Sequence, residues 1–148
     1  GYVRGSVGFV AKSGSLAPEI AMYLEQVGLG ISTLVCLGGD PLVATGYREI
    51  LELFEADAET EAIVLIGELG GRSEFDAADF VTTMKKPVVT TVLGRHAPVG
   101  KSMGHAGALM AQEDESAAAK MAALGLAGAI VVDSLMEIKD QVRNIFDK

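Results

Sequence analysis

Five short apolar runs alternate along the chain with stretches in which apolar residues recur every three or four positions. The runs fall at residues 7–11, 32–37, 62–66, 87–92 and 129–132. Continuous apolar runs of this length, bounded by Gly, Pro and Asp, read as buried strands. The intervening periodicity predicts helices over 16–27, 45–56, 74–84 and 116–126, and a last one through Phe146. Tyr47, Ile50, Leu51 and Phe54 show the spacing well and are expected in the core. Local signals mark the helix ends: Ser15 as a cap with Pro18 in the first turn, Gly28 and Gly30 as terminators, Ser73 as a cap, and Asp133 or Ser134 before the last helix.

Strand and helix alternate five times without a hairpin signal or an internal repeat. That order calls for a parallel sheet covered by helices on both faces. The expected fold is α/β: a flavodoxin-like three-layer sandwich whose five parallel strands run 2-1-3-4-5. In such a sheet ligands bind beyond the carboxyl ends of the strands. The segments at that edge are Ser13-Gly14-Ser15, Gly38-Gly39-Asp40, residues 67–71, and a long loop over 94–107. Loops of that length in a compact domain are usually functional.

Composition sharpens this picture. At 148 residues, with 49% hydrophobic and 22% charged positions, the chain is long enough for one well-packed domain. The expected organisation is a single domain over 1–148, cut from a longer protein. Net charge −8 argues against nucleic acid and against an anionic membrane as partner. Cys36 is the only cysteine, so no disulfide framework and no cysteine-rich metal site is expected. It sits in an apolar run and reads as a small core residue. No signal peptide is visible, and a cytoplasmic compartment is the default.

The chemistry concentrates on Met103-Gly104-His105-Ala106-Gly107-Ala108. A neutral imidazole is a nucleophile toward phosphorus if one ring nitrogen is free and an acceptor holds the other N–H. Glu68, the acid directly after the third strand, is the candidate acceptor; the plain alternative is a solvated loop acid. Ser13-Gly14-Ser15 opens a helix, where free N–H groups and the dipole favour an anion. Asp40, followed by Pro41, reads as a turn residue or a ligand, and His96 as a loop residue or a substrate contact. Lys101 reads as a solvated loop cation.

Ser13-Gly14-Ser15-Leu16, Gly38-Gly39-Asp40-Pro41, Gly67-Glu68-Leu69-Gly70-Gly71, Ala97-Pro98 and the string from Met103 to Ala108 stand in the order found in the succinyl-CoA synthetase α-subunit family. The chain resembles the C-terminal ligase domain of that family, which ATP-citrate lyase and NDP-forming acyl-CoA synthetases share. The resemblance implies a nucleotide-dependent acid–thiol ligase of tricarboxylic acid metabolism: acid + CoA + NTP ⇌ acyl-CoA + NDP + phosphate. It implies that His105 is the phosphorylated histidine and Glu68 the glutamate orienting it. Ser13, Gly14, Ser15, Gly104 and Gly107 would hold phosphate, and Gly39, Asp40 and His96 would meet a small carboxylic acid. No residue of the chain is expected to ligate a metal. CoA and ATP or GTP with Mg would be held mainly by a CoA-binding domain and an ATP-grasp β-type subunit or domain. Three positions depart from the family pattern: His96 replaces a threonine, Ser102 a basic residue, and the acidic stretch 112–115 a glycine-rich, lysine-containing one. A non-catalytic assembly module that keeps the fold is the alternative, and a flavodoxin-like FMN binder a remote one.

Overall fold

The computed structural model describes residues 2–98, 100–110 and 112–148. Val99, within the long loop expected at 94–107, and the Glu113 side chain, within the acidic stretch, lie outside the described residues. The strands are β1 (Arg4–Ala11), β2 (Ile31–Cys36), β3 (Ala62–Glu68), β4 (Val88–Leu93) and β5 (Ile130–Val131). The helices are α1 (Ala17–Gln26), α2 (Tyr47–Ala56), α3 (Ser73–Val81), α4 (Ala117–Leu126) and α5 (Leu135–Phe146). All strand pairings are parallel, in the order β2-β1-β3-β4-β5 that the sequence predicts.

The two faces of the sheet bury separate cores. On one face α2, α3 and α4 cover Val10, Ile63, Leu65, Val88 and Val92. On the other, α1 and α5 cover Val7, Phe9, Ala11, Val64, Ile66 and Val89. β3 is buried along its whole length, as a central strand covered on both sides must be. It runs two residues further than its apolar pattern, so that Glu68 ends the strand opposite Leu93 of β4. A carboxylate is thereby placed on the carboxyl edge by the ladder itself rather than by a loop.

Three local expectations are corrected. Ser15 does not cap α1: a 3₁₀ turn (Gly14–Leu16) leads into the helix, and the Ser13 and Ser15 hydroxyls bond one another at 2.8 Å. Ser73 is the first residue of α3 rather than its cap, because Arg72 holds the non-helical position before it. Cys36 is exposed at the end of β2, which is an edge strand with one unpaired side. Pro18 does lie in the first turn of α1, and Ser134 stands at the N-cap of α5.

Candidate functional site

The chain between β4 and α4 folds back on itself and presents His105 at a tip. Ser102 and Leu109 form an antiparallel bridge, Met103 N–H donates to the Ala108 carbonyl at 2.9 Å, and Ala108 N–H donates to the His105 carbonyl at 3.1 Å. The Ser102 hydroxyl donates to that same carbonyl at 2.8 Å. Ala108 and Met110 pack with Leu69 in a small apolar cluster of their own, which ties this tip to the end of β3.

Two glycines make the docking possible. A Cβ on Gly39 would overlap the His105 imidazole, so the ring lies flat against backbone. Gly107 N–H donates to the Gly39 carbonyl at 2.8 Å. Gly70 has φ +85, and a Cβ there would meet the Gly107 carbonyl oxygen at 2.5 Å. Both the conformation and the contact require glycine.

So held, His105 Nδ1 lies 2.8 Å from Glu68 Oε2. An ionised carboxylate can only accept, so Nδ1–H is the donor in this contact, and in the neutral form of the ring the lone pair lies on Nε2. The imidazole is 29% exposed and Glu68 only 12%. A cavity of about 250 Å³ opens beside the ring, with Ser13, Ser15 and Leu16 on one wall and Leu69, Leu93 and Gly94 on another. Met103, Gly104 and Ala108 complete it. The first N–H groups of the 3₁₀ turn have no helical partner and add donors to the serine hydroxyls. An anion of phosphoryl size fits such a donor set. Among the described residues no group of three His, Cys, Asp or Glu side chains is gathered as a metal site needs.

The structure thus brings His105, Glu68, Ser13, Ser15 and Gly104 into one cavity. Gly39 and Gly107 serve it from behind by packing. Gly14 is exposed and outside the cavity wall, as are Asp40 and His96. Of the acidic stretch, Gln112, Asp114 and Glu115 are not among the described wall residues. Its Asp114 pairs with Arg72 at 3.2 Å, and the Glu115 carbonyl accepts from Gly70 N–H at 3.1 Å.

Sequence reasoning missed three charged residues. Lys120 of α4 is fully buried and donates to the Glu68 carbonyl at 2.8 Å, the Gly70 carbonyl at 2.7 Å and Glu74 Oε2. Glu74, equally buried, accepts from Glu68 N–H at 3.1 Å through its other oxygen. The pair grips Glu68 by both its backbone groups. Burial lowers the Lys120 ammonium pKa below its ordinary value, and Glu74 opposes that shift. The signal was in the periodicity: Lys120 repeats with Ala117, Met121 and Leu124, and Glu74 with Ala77, Ala78 and Val81, each on a core-facing stripe. Lys12 is the third. It is only 8% exposed, and its Nζ lies 3.7 Å from Glu68 Oε1.

Comparison with known proteins places the chain in a family. The model of the CoA-ligase family matches residues 10–130. Subunit alpha 1 of the ADP-forming succinate–CoA ligase of Archaeoglobus fulgidus is 44% identical over 99% of the chain and 50% of its own length. The malate–CoA ligase subunit alpha of Methylorubrum extorquens is 44% identical over 80% of the chain and 40% of its own. The ATP citrate lyase of Methanosaeta concilii, solved in complex with (3S)-citryl-CoA, superimposes with a TM-score of 0.91 at 32% identity, over 98% of the chain and 24% of its own. The chain spans half or less of the length of these relatives.

Proposed function

Because the chain belongs to the CoA-ligase family, we propose that it is the phosphoryl-carrying domain of an NDP-forming acyl-CoA synthetase, with His105 as the carrier. The observation that supports this most is the Glu68–His105 contact at 2.8 Å beside a phosphate-sized cavity lined by Ser13 and Ser15. In the direction of acyl-CoA formation, His105 Nε2 attacks the terminal phosphorus of the nucleotide, and the bond to the departing NDP oxygen breaks. A carboxylate oxygen of the acid then attacks the same phosphorus, the P–N bond breaks, and an acyl phosphate forms. The thiolate of CoA displaces phosphate from that acyl group. Throughout, Nδ1–H stays on Glu68, which fixes the tautomer and the ring plane. Ser13, Ser15 and the N–H groups of the 3₁₀ turn bind the phosphoryl oxygens beside Gly104 on the cavity wall, while Gly107 packs on the turn at Gly39 behind the site.

A cavity of about 250 Å³ is smaller than the roughly 300–1,000 Å³ of pockets that engulf drug-sized ligands. On this reading it takes the phosphoryl group, and not the nucleotide or CoA. Those would be held by a CoA-binding domain and an ATP-grasp β-type partner, with Mg accompanying the nucleotide. The acid is a small carboxylate. Asp40 and His96, on exposed turns at the same edge, would meet it only from outside the cavity. The second reading, a non-catalytic assembly module, is favoured by the acidic stretch 112–115. The engagement of Asp114 with Arg72 weighs against it, since that charge is not turned into the cavity.

The test is intact-mass spectrometry at neutral to alkaline pH on the full-length protein with its partner, incubated with NTP and Mg, beside a His105→Ala variant. An acid-labile phosphate adduct is expected in the parent and not in the variant. Its absence from a folded, assembled parent overturns the catalytic reading in favour of the assembly module.

A further inference from the structure

Glu68 has one committed oxygen and one that is not. Oε2 takes the His105 imidazole, whereas Oε1 is buried and has no hydrogen-bond partner among the described residues. A buried, half-satisfied carboxylate beside an imidazole favours the imidazolium, which has no lone pair on Nε2 and cannot attack phosphorus. Something has to oppose that tendency if Glu68 is to orient the ring without protonating it. We propose that Lys12 does so: its buried ammonium, facing Glu68 Oε1 at 3.7 Å, offsets the carboxylate charge and holds His105 as the neutral nucleophile. Lys12 is a positioning residue in this account, acting through Glu68.

Among the described residues, the charges around the imidazole leave this role to Lys12. From β3 the ring faces Glu68; behind it, α3 and α4 supply Glu74 and Lys120, which are closed on one another. The turn after β2 packs Gly39 on the ring and carries Asp40, which is exposed. The turn after β4 carries Arg95 and His96, both exposed, with Arg95 committed to Asp133 at 2.7 Å. The loop's own Lys101 is exposed, and the 3₁₀ turn before α1 brings no charged side chain. Lys12, Lys120, Glu68 and Glu74 together sum to zero, so a proton added to His105 would leave an unbalanced cation at the buried end of the site. Lys12 is also held in place. Its carbonyl accepts from Gly38 N–H at 3.0 Å, which fixes the backbone that carries it. Lys12 is absent from the cavity wall, so it meets Glu68 from behind rather than phosphate from in front.

This inference rests on His105 being the phosphorylated residue, and the test separates the two claims. The rate of His105 phosphorylation by NTP and Mg would be followed against pH in the full-length protein with its partner, for wild type, Lys12→Gln and Lys12→Arg. Lys12→Gln is expected to move the acid limb of the profile up by about one to two pH units while keeping the high-pH plateau. Lys12→Arg should follow wild type. A uniformly lower rate with an unmoved limb, or a higher KM for nucleotide alone, overturns the proposal and leaves the phosphohistidine reading intact. In parallel, the imidazole of His105 would be titrated by nitrogen NMR in the full-length chain labelled at histidine. This decides the Lys12 question even if wild type takes no phosphate. Gain of the second ring proton at higher pH in Lys12→Gln supports the role, and an unchanged titration ends it.

Discussion

Two carboxylates lie six residues apart at the end of β3 and the start of α3, and they are used in opposite ways. Glu74 is fully buried and spends both oxygens inside the fold, on Lys120 and on Glu68 N–H. Glu68 spends one oxygen on His105 and leaves the other without a hydrogen bond. A closed ion pair of the first kind is costly to break and contributes little chemistry. An open carboxylate of the second kind is worth less to stability and leaves the imbalance from which reactivity can be built. The closed pair holds the backbone of the open one, so rigidity and reactivity sit in adjacent shells of one site.

Substitution should separate the two roles. Glu68→Gln removes the charge that fixes the His105 tautomer and is expected to slow phosphorylation by about 10²–10⁴-fold, by analogy with loss of the orienting acid in catalytic triads. Its melting temperature should fall by less than that of the Lys120 variant below, because the Lys12 ammonium it strands meets Oε1 only at 3.7 Å. Lys120→Met is expected to do the reverse in kind, costing about 3–5 kcal/mol by stranding Glu74, and lowering Tm by about 10 °C in calorimetry of the full-length protein. Adding Glu74→Leu to it should recover much of that loss. If Glu68→Gln proved the more destabilising of the two, the contrast would collapse. Gly39→Ala should fall between them. Its methyl displaces the imidazole at a stability cost of about 1–3 kcal/mol, and loss of the Nδ1–Glu68 contact would appear as a shifted imidazole proton signal.

The smallest effect belongs to a carboxylate outside the site. Asp57 is held below the usual carboxylate range first by the Thr60 hydroxyl at 2.6 Å and then by Glu59 N–H at 3.1 Å. Its folded value is depressed, so its contribution is complete above the unfolded value of about 3.9 and is lost as pH falls through the folded one. Asp57→Asn should flatten that acid segment of the Tm–pH curve and leave phosphorylation untouched. An altered phosphorylation rate would break the separation of site from scaffold.

The sheet order was legible because β3 and its neighbours are continuous apolar runs separated by helical periods, a pattern with one economical solution. Glu68 and His105 were legible because both stand beside glycines at the carboxyl edge. What escaped was charge inside the core. Lys12, Glu74 and Lys120 are of residue types that usually face water, and each was passed over for that reason, although the last two sit on apolar stripes. Cys36 escaped in the opposite direction. Its apolar neighbours read as core, but β2 is an edge strand, and which strand ends up at the edge is a property of the whole sheet. Ser15 failed as a cap because a 3₁₀ turn, invisible to capping rules, intervenes before α1.

The geometry of the Glu68–His105 pair commits the site to one ring nitrogen. Nδ1 is occupied at 2.8 Å, and under the proposed function Nε2 is the nitrogen left to take phosphorus. The most direct test is therefore to phosphorylate the full-length protein with its partner and identify the phosphorylated atom by phosphorus–nitrogen coupling in NMR of histidine-labelled protein. Phosphate on Nε2 of His105 is the predicted result. Phosphate on Nδ1, or on any residue other than His105, would contradict the account.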